Sequence, residues 1–227
     1  MPEQTWTEVP VFIHGITPGE DPGSHDGDYK TLLDLFYYVS SDGERGVRNH
    51  VFEQIARAVN QLPHGQDLSL TLFTHSAGTV IAHDFLYHLF GAAASPLAAV
   101  SAQKEVLAVR DLVDAGSLRV RKLFTMGSPI TPLVFRADSL LLKVVLGQKI
   151  DPAGLGLKPD PELGAPRWVN FWDRDDVISF PLAFNYAAVQ NQAVVEDFYA
   201  DIGDFFPAVH GKYWSSTKVA ARMAEVW

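Results

Sequence analysis

One serine, three aspartates and one histidine, far apart in the chain but each set just beyond an apolar run, have the residue types needed for acyl transfer. Ser76 lies in Thr74-His75-Ser76-Ala77-Gly78, with a strand-like run, Leu68 to Phe73, before it and a helix-like run, Thr79 to Phe90, after it. A serine at so sharp a strand-to-helix turn sits on strained backbone, needs small neighbours, and projects its hydroxyl at the carboxyl edge of a sheet. A hydroxyl is barely ionised at neutral pH, so it attacks a carbonyl only if a neighbouring base takes its proton during the attack. Histidine suits that task because its ordinary pKa lies near operating pH, and a buried carboxylate can fix its tautomer. The oxyanion that follows needs preorganised N–H donors, each worth about two to three orders of magnitude in rate. The N–H of Ala77, at a helix start, is one such donor.

The elements that must position these groups alternate as strand and helix, the pattern of a mainly parallel sheet covered on both faces. Val9 to Ile13 reads as a buried strand that ends in His14-Gly15-Ile16, where a second backbone donor fits. Arg119 to Thr125 reads as another, ending in Met126-Gly127-Ser128-Pro129. Arg167 to Trp172 leads into Asp173-Arg174-Asp175-Asp176-Val177, which offers three acids after the serine. Val194 to Ile202 precedes a loop that contains His210. Open α/β sheets build their sites beyond the carboxyl ends of their strands, where all these groups fall. Helices are expected over Tyr29 to Val39, Val47 to Leu62, Thr79 to Phe90, Ala98 to Ala115, Leu133 to Leu146 and Ser215 to Val226. Ser215-Ser216-Thr217 supplies capping residues for the last of them.

Taken in this order, Ser76, then an aspartate, then His210, the chain resembles the α/β-hydrolase superfamily, and within it the serine esterases and lipases. The resemblance covers nearly the whole length. It implies a three-layer fold with a mainly parallel central sheet, a nucleophile elbow at Ser76, and an oxyanion hole from the N–H groups of Ala77 and Ile16. The family places its acid directly before an apolar residue, here Val177, which selects Asp176 over Asp175 and completes a Ser76-Asp176-His210 triad. Thr74 stands where the family pattern has glycine, and the amino-terminal segment is too short for the first two strands of the full family sheet. A trimmed version of that sheet is therefore expected, as a single domain over 1–227.

The chain has eight histidines, so His210 must be separated from its rivals. His14 reads as a structural residue ordering the loop behind the oxyanion hole. His75 is expected to point away from the Ser76 hydroxyl. His83 and His88, with Asp84, form a polar stripe on the helix after Ser76, opposite Val80, Ile81 and Phe85, and are read as a solvated face. Asp84 and His88 also have the i, i+4 spacing of metal ligands, which leaves a metal-dependent hydrolase as an alternative. His25, His50 and His64 read as surface residues. Asp21, Asp26 and Asp28 do not meet a calcium-loop spacing and are read as solvated. The residue set thus calls for no cofactor and no metal.

Residues 129–166 form a long connection that starts with the apolar segment Leu140 to Leu146 and continues through a Gly/Pro-rich stretch from Gly147 to Pro166. It is either a cap that presents an apolar wall to an acyl chain or a helix on the sheet with a surface loop behind it. Trp168, Trp172 and Trp214 are expected in the core. At 227 residues and 47% apolar the chain can bury a sizeable core. The net charge of -9 argues against a general nucleic-acid role. The absence of cysteine removes disulfides, thiolate metal sites and a thiol nucleophile. Met1-Pro2-Glu3-Gln4 does not read as the start of a signal peptide and no apolar run reads as long enough to span a bilayer, so a cytoplasmic protein is expected. The expected partner is a small acyl ester, lipid-like if the apolar connection is a cap. Amidase or thioesterase chemistry on the same triad, or a non-catalytic binding protein of the same fold, are the nearer alternatives.

Overall fold

Five strands form one sheet, and all neighbours pair in parallel. The computed structural model describes residues 5–14, 41–62, 65–91, 104–134 and 146–227. The strands are β1 (Trp6–Ile13), β2 (Asp67–His75), β3 (Leu118–Met126), β4 (Trp168–Trp172) and β5 (Val195–Tyr199). Their spatial order follows the sequence, β1-β2-β3-β4-β5. The helices are α1 (Ser41–Asn60), α2 (Ala77–Phe90), α3 (Lys104–Asp114), a short α4 (Ile130–Val134), a single turn α5 (Ala208–Gly211) and α6 (Thr217–Val226). Parallel neighbours need crossovers, and here these carry α1, α2 and α3 onto one face of the sheet, while α6, which follows β5, covers the other. The expected helices over Tyr29 to Val39 and over most of Leu133 to Leu146 lie outside the described residues.

The larger core fills the space between one sheet face and α1, α2 and α3. Phe52, Ile55, Ala56 and Val59 recur at helical spacing along α1 and meet Val80, Ile81, Phe85 and Leu89 of α2 over Leu70 and Leu72 of β2. The opposite face is lined by Phe124, Met126, Val169 and Phe171 and covered by Val219, Met223 and Val226 of α6. Ser216 caps α6, its side chain accepting from the N–H of Val219. That cap satisfies one of the free donors of the first turn. The result is a three-layer α/β arrangement.

The polar stripe expected on α2 is corrected by the structure. His83 and His88 are both buried, 6% exposed, because α2 lies between α1 and α3 and its remote end is covered by the 3-10 turn Pro152–Leu155. His83 Nε2 lies 3.0 Å from the hydroxyl of buried Tyr186, and the ring of His88 stands edge-on to Phe52 at 5.0 Å. These imidazoles serve as core rings with polar edges, which apolar periodicity alone does not distinguish from a wet face. Within residues 146–166, Leu155 and Leu157 are buried and Gly156 lies under the ring of Phe90, at the end of α2 remote from Ser76, whereas 146–149, 161 and 162 are exposed. Residues 135–145 lie outside the described residues.

A register shift between β2 and β3 at Leu70/Thr71 places an extra residue in β3, so that Val120 and Leu123 both face the larger core. Lys122 is thereby left buried on the sheet, 2% exposed, with its ammonium donating to the carbonyl of Pro166 at 2.8 Å. Burial, with Arg167, Arg121 and Arg222 nearby, pushes its pKa down from 10.5 to about 8. The unfolded chain keeps this proton up to its ordinary pKa, while the folded chain releases it near 8. Between those values the unfolded state binds more protons, so this group's contribution to stability rises with pH; below about 8 its full penalty is present. Lys122→Met removes that dependence. Its urea midpoint, measured against the native chain, should therefore compare less favourably at about pH 10 than at about pH 7. An equal difference at both pH values would contradict the assignment.

Candidate active site

Ser76 follows β2 directly and precedes α2, with φ 55 and ψ -134. A non-glycine residue in this region carries about 1–3 kcal/mol of strain and persists only where its surroundings hold it. The surroundings are visible. Its N–H donates to the carbonyl of Met126 at 3.0 Å, and its carbonyl accepts from the Thr79 hydroxyl at 2.7 Å and the Thr79 N–H at 3.0 Å. Two residues on, a Cβ at Gly78 would stand 2.3 Å from the carbonyl oxygen of Ile13. Only glycine lets α2 start this close to the end of β1. Thr74, in the place where glycine was expected, is accommodated because its hydroxyl donates to the carbonyl of Phe124 at 2.9 Å.

The carboxyl ends of the next three strands bring up the remaining groups. His210, on α5, has its Nδ1 2.8 Å from Asp176 Oδ2. A carboxylate oxygen only accepts, so Nδ1 carries the proton and Nε2 is the basic nitrogen of the neutral ring. Nε2 is buried and has no hydrogen-bond partner among the described residues. Of the three aspartates, Asp176 alone meets the imidazole. Asp173 is a loop organiser, accepting from the N–H groups of Asp175 at 3.0 Å and Ile202 at 2.7 Å. Asp175 is half-buried and lies 3.8 Å from the guanidinium of Arg174.

Asp176 is only 1% exposed and its oxygens are fully engaged. Oδ1 accepts from the Ile178 N–H at 3.2 Å, while Oδ2 accepts both His210 Nδ1–H and the hydroxyl of Tyr213 at 3.0 Å. Burial and the neighbouring Asp176 charge push the Tyr213 phenol well up, so it remains a donor. Sequence reasoning passed over Tyr213. The available signal was its place three residues after His210, which in a helical turn puts both side chains on one side.

Ser76 and His210 are joined through two short chains of contact. Met126, which accepts from the Ser76 N–H, is followed by Gly127, and a Cβ on Gly127 would stand 2.9 Å from Cε1 and 3.0 Å from Nδ1 of His210. His75, the residue before Ser76, packs its ring 4.7 Å from that of His210. Ala77, the first residue of α2, is buried beside them; its N–H belongs to the group that helix geometry leaves unpaired. Ile16, the other expected oxyanion donor, lies outside the described residues, as do His25, His64 and Asp21, Asp26 and Asp28. His14 is exposed, with its ring 4.9 Å from that of His75 and stacked on Trp214 at 6.3 Å. Trp168 is fully buried and Trp172 partly so, whereas Trp214 is 42% exposed and not a core residue.

Among the described residues no group of three His, Cys, Asp or Glu side chains could hold a metal ion, and no helix is long and apolar enough to cross a membrane. Asp84 and His88 therefore lack a third ligand within that set. Comparison with protein-family models, with curated proteins and with solved structures finds no match to this chain.

Proposed function

We propose that this chain is a serine hydrolase of the α/β-hydrolase superfamily that cleaves carboxylic esters through an acyl-enzyme on Ser76. The reading rests on one observation above all: a serine on strained backbone, packed through Gly127 and His75 against a buried His210–Asp176 pair. In this reading His210 Nε2 takes the proton as Ser76 Oγ attacks the ester carbonyl. The tetrahedral oxyanion is met by the N–H of Ala77 and, by the resemblance, that of Ile16. His210 then gives the proton to the departing alcohol, and water repeats the sequence in reverse to release the acid. Asp176 fixes the tautomer and balances the imidazolium. The strain at Ser76 supports the reading, because such backbone concentrates where a side chain must be presented.

Nitrophenyl esters of rising acyl length test it. The native chain should hydrolyse at least part of the series, and Ser76→Ala should lose about 10⁴-fold or more in turnover while folding normally. Hydrolysis that survives the substitution, or no hydrolysis of any ester, thioester or amide by the native chain, would overturn it.

A further inference from the structure

His75 is bound into the site in a way that neither the fold nor the triad requires. Its ring is 3% exposed, and its Nε2 lies 2.7 Å from the main-chain carbonyl of His210. A carbonyl cannot donate, so Nε2 carries the proton and Nδ1 is bare. Nδ1 is itself buried without a hydrogen-bond partner among the described residues. A buried acceptor left unpaired is unfavourable, so a ring retained here must contribute through its other contacts. Those contacts lead to one place. Besides the bond to the His210 carbonyl, the ring lies 4.7 Å from the His210 imidazole and 6.0 Å from Tyr213.

The element it holds is weakly anchored on its own. Helix α5 has only four residues, Ala208–Gly211, and no side-chain cap, and it follows the exposed Phe205. So short a turn has little intrinsic stability. His75 is the last residue of β2, an interior strand that leads directly into Ser76, and β2 is paired along both edges. Burial first, and His210 second, lower the His75 pKa from 6.5 to about 3, so it stays neutral while its neighbour gains and loses a proton. It can therefore hold the base without competing for the proton.

We propose, on the strength of the hydrolase reading above, that His75 is a positioning residue that ties the base-bearing turn to the nucleophile strand. Through one hydrogen bond and one ring contact, it fixes the separation of Ser76 and His210. A displacement of about 1 Å at such a site costs on the order of a hundredfold in rate. His75→Phe keeps the ring and removes the donor, whereas His75→Gln places an amide N–H close to where Nε2 stood.

The test compares both variants with the native chain for ester turnover, for fluorophosphonate labelling rate and for the downfield proton resonance of His210 Nδ1–H. His75→Phe should lose about 10- to 100-fold in kcat and labelling rate at little changed KM, and its Nδ1–H resonance should broaden or disappear. His75→Gln should restore most of both. Native kinetics and a sharp native resonance in the Phe variant would overturn the positioning role and leave the hydrolase reading intact. Equal losses in the Phe and Gln variants, with lowered melting temperatures in both, would also overturn it in favour of simple packing. A native chain that never labels at Ser76 removes the hydrolase reading, and the positioning role with it.

Discussion

On the proposed hydrolase reading, Asp176→Asn should lower ester turnover by about 10⁴-fold in a protein that remains folded. The substitution preserves shape but reverses one hydrogen-bonding edge. Asp176 Oδ2 faces two donors, His210 Nδ1–H and Tyr213 O–H, and Oδ1 faces a third, the N–H of Ile178. An asparagine has one accepting oxygen and one donating NH₂, so every orientation sets a donor against a donor. With NH₂ toward His210, the ring must take the other tautomer, and Nε2 then carries a proton and cannot accept one from Ser76. With NH₂ toward Ile178, the tautomer survives, but the carboxylate charge that balances the imidazolium is gone. Steady-state turnover of one nitrophenyl ester, with a melting curve on the same preparation, checks this. A loss of less than about tenfold would mean that Asp176 does not serve the base.

On the same reading, Gly127→Ala should lose about 10²- to 10³-fold in turnover and about 1–3 kcal/mol of stability. Gly127 has φ +56, where an L side chain is strained, and an added Cβ would also stand 2.9 Å from Cε1 of His210 and 3.2 Å from Cε2 of Tyr213. The imidazole cannot step aside freely, because His75 packs on it and Asp176 holds Nδ1. The Nδ1 bond to Asp176 is what yields. Gly116→Ala is the control. Gly116 has φ +73 and nothing within 4 Å of an added Cβ, so it carries the backbone strain without the clash. It should lose stability and keep activity. Native turnover in Gly127→Ala, or equal activity loss in both variants, would contradict this account of how the base is held.

The architecture was legible because most strands set apolar residues on the face turned to the core, as Leu68, Leu70 and Leu72 do in β2. Leu68 to Phe73 is the interior of β2, while Val9 to Ile13, expected as a buried strand, is the carboxyl end of β1, an edge strand in which Phe12 is 67% exposed. The turn after β2 was legible for a local reason: Ser76 and Gly78 are the residue types that a strained turn and a close approach demand. Other features depended on the third dimension. The residue after Asp176, Val177, was the local signal for Asp176; Asp173 and Asp176 are both buried acids accepting main-chain N–H groups, and the arrival of His210 is what separates them in the fold. The extra residue in β3 that leaves Lys122 buried has no local signature in Arg119-Val120-Arg121-Lys122. His83 and His88 read as polar because they are polar, yet α2 is covered on most sides and their rings pack as aromatics. His75, read from its place beside Ser76 as pointing away from the hydroxyl, and Tyr213 touch His210 and Asp176 across distant segments, contacts that residue type and spacing do not reveal.

Intact-mass measurement after exposure to a fluorophosphonate, followed by peptide mapping, addresses the chemistry most directly. The account predicts one adduct per chain, carried on Ser76, formed by the native protein and absent after heat denaturation or in Ser76→Ala. A folded native chain that stays unmodified, or an adduct mapped to any other residue, would contradict it.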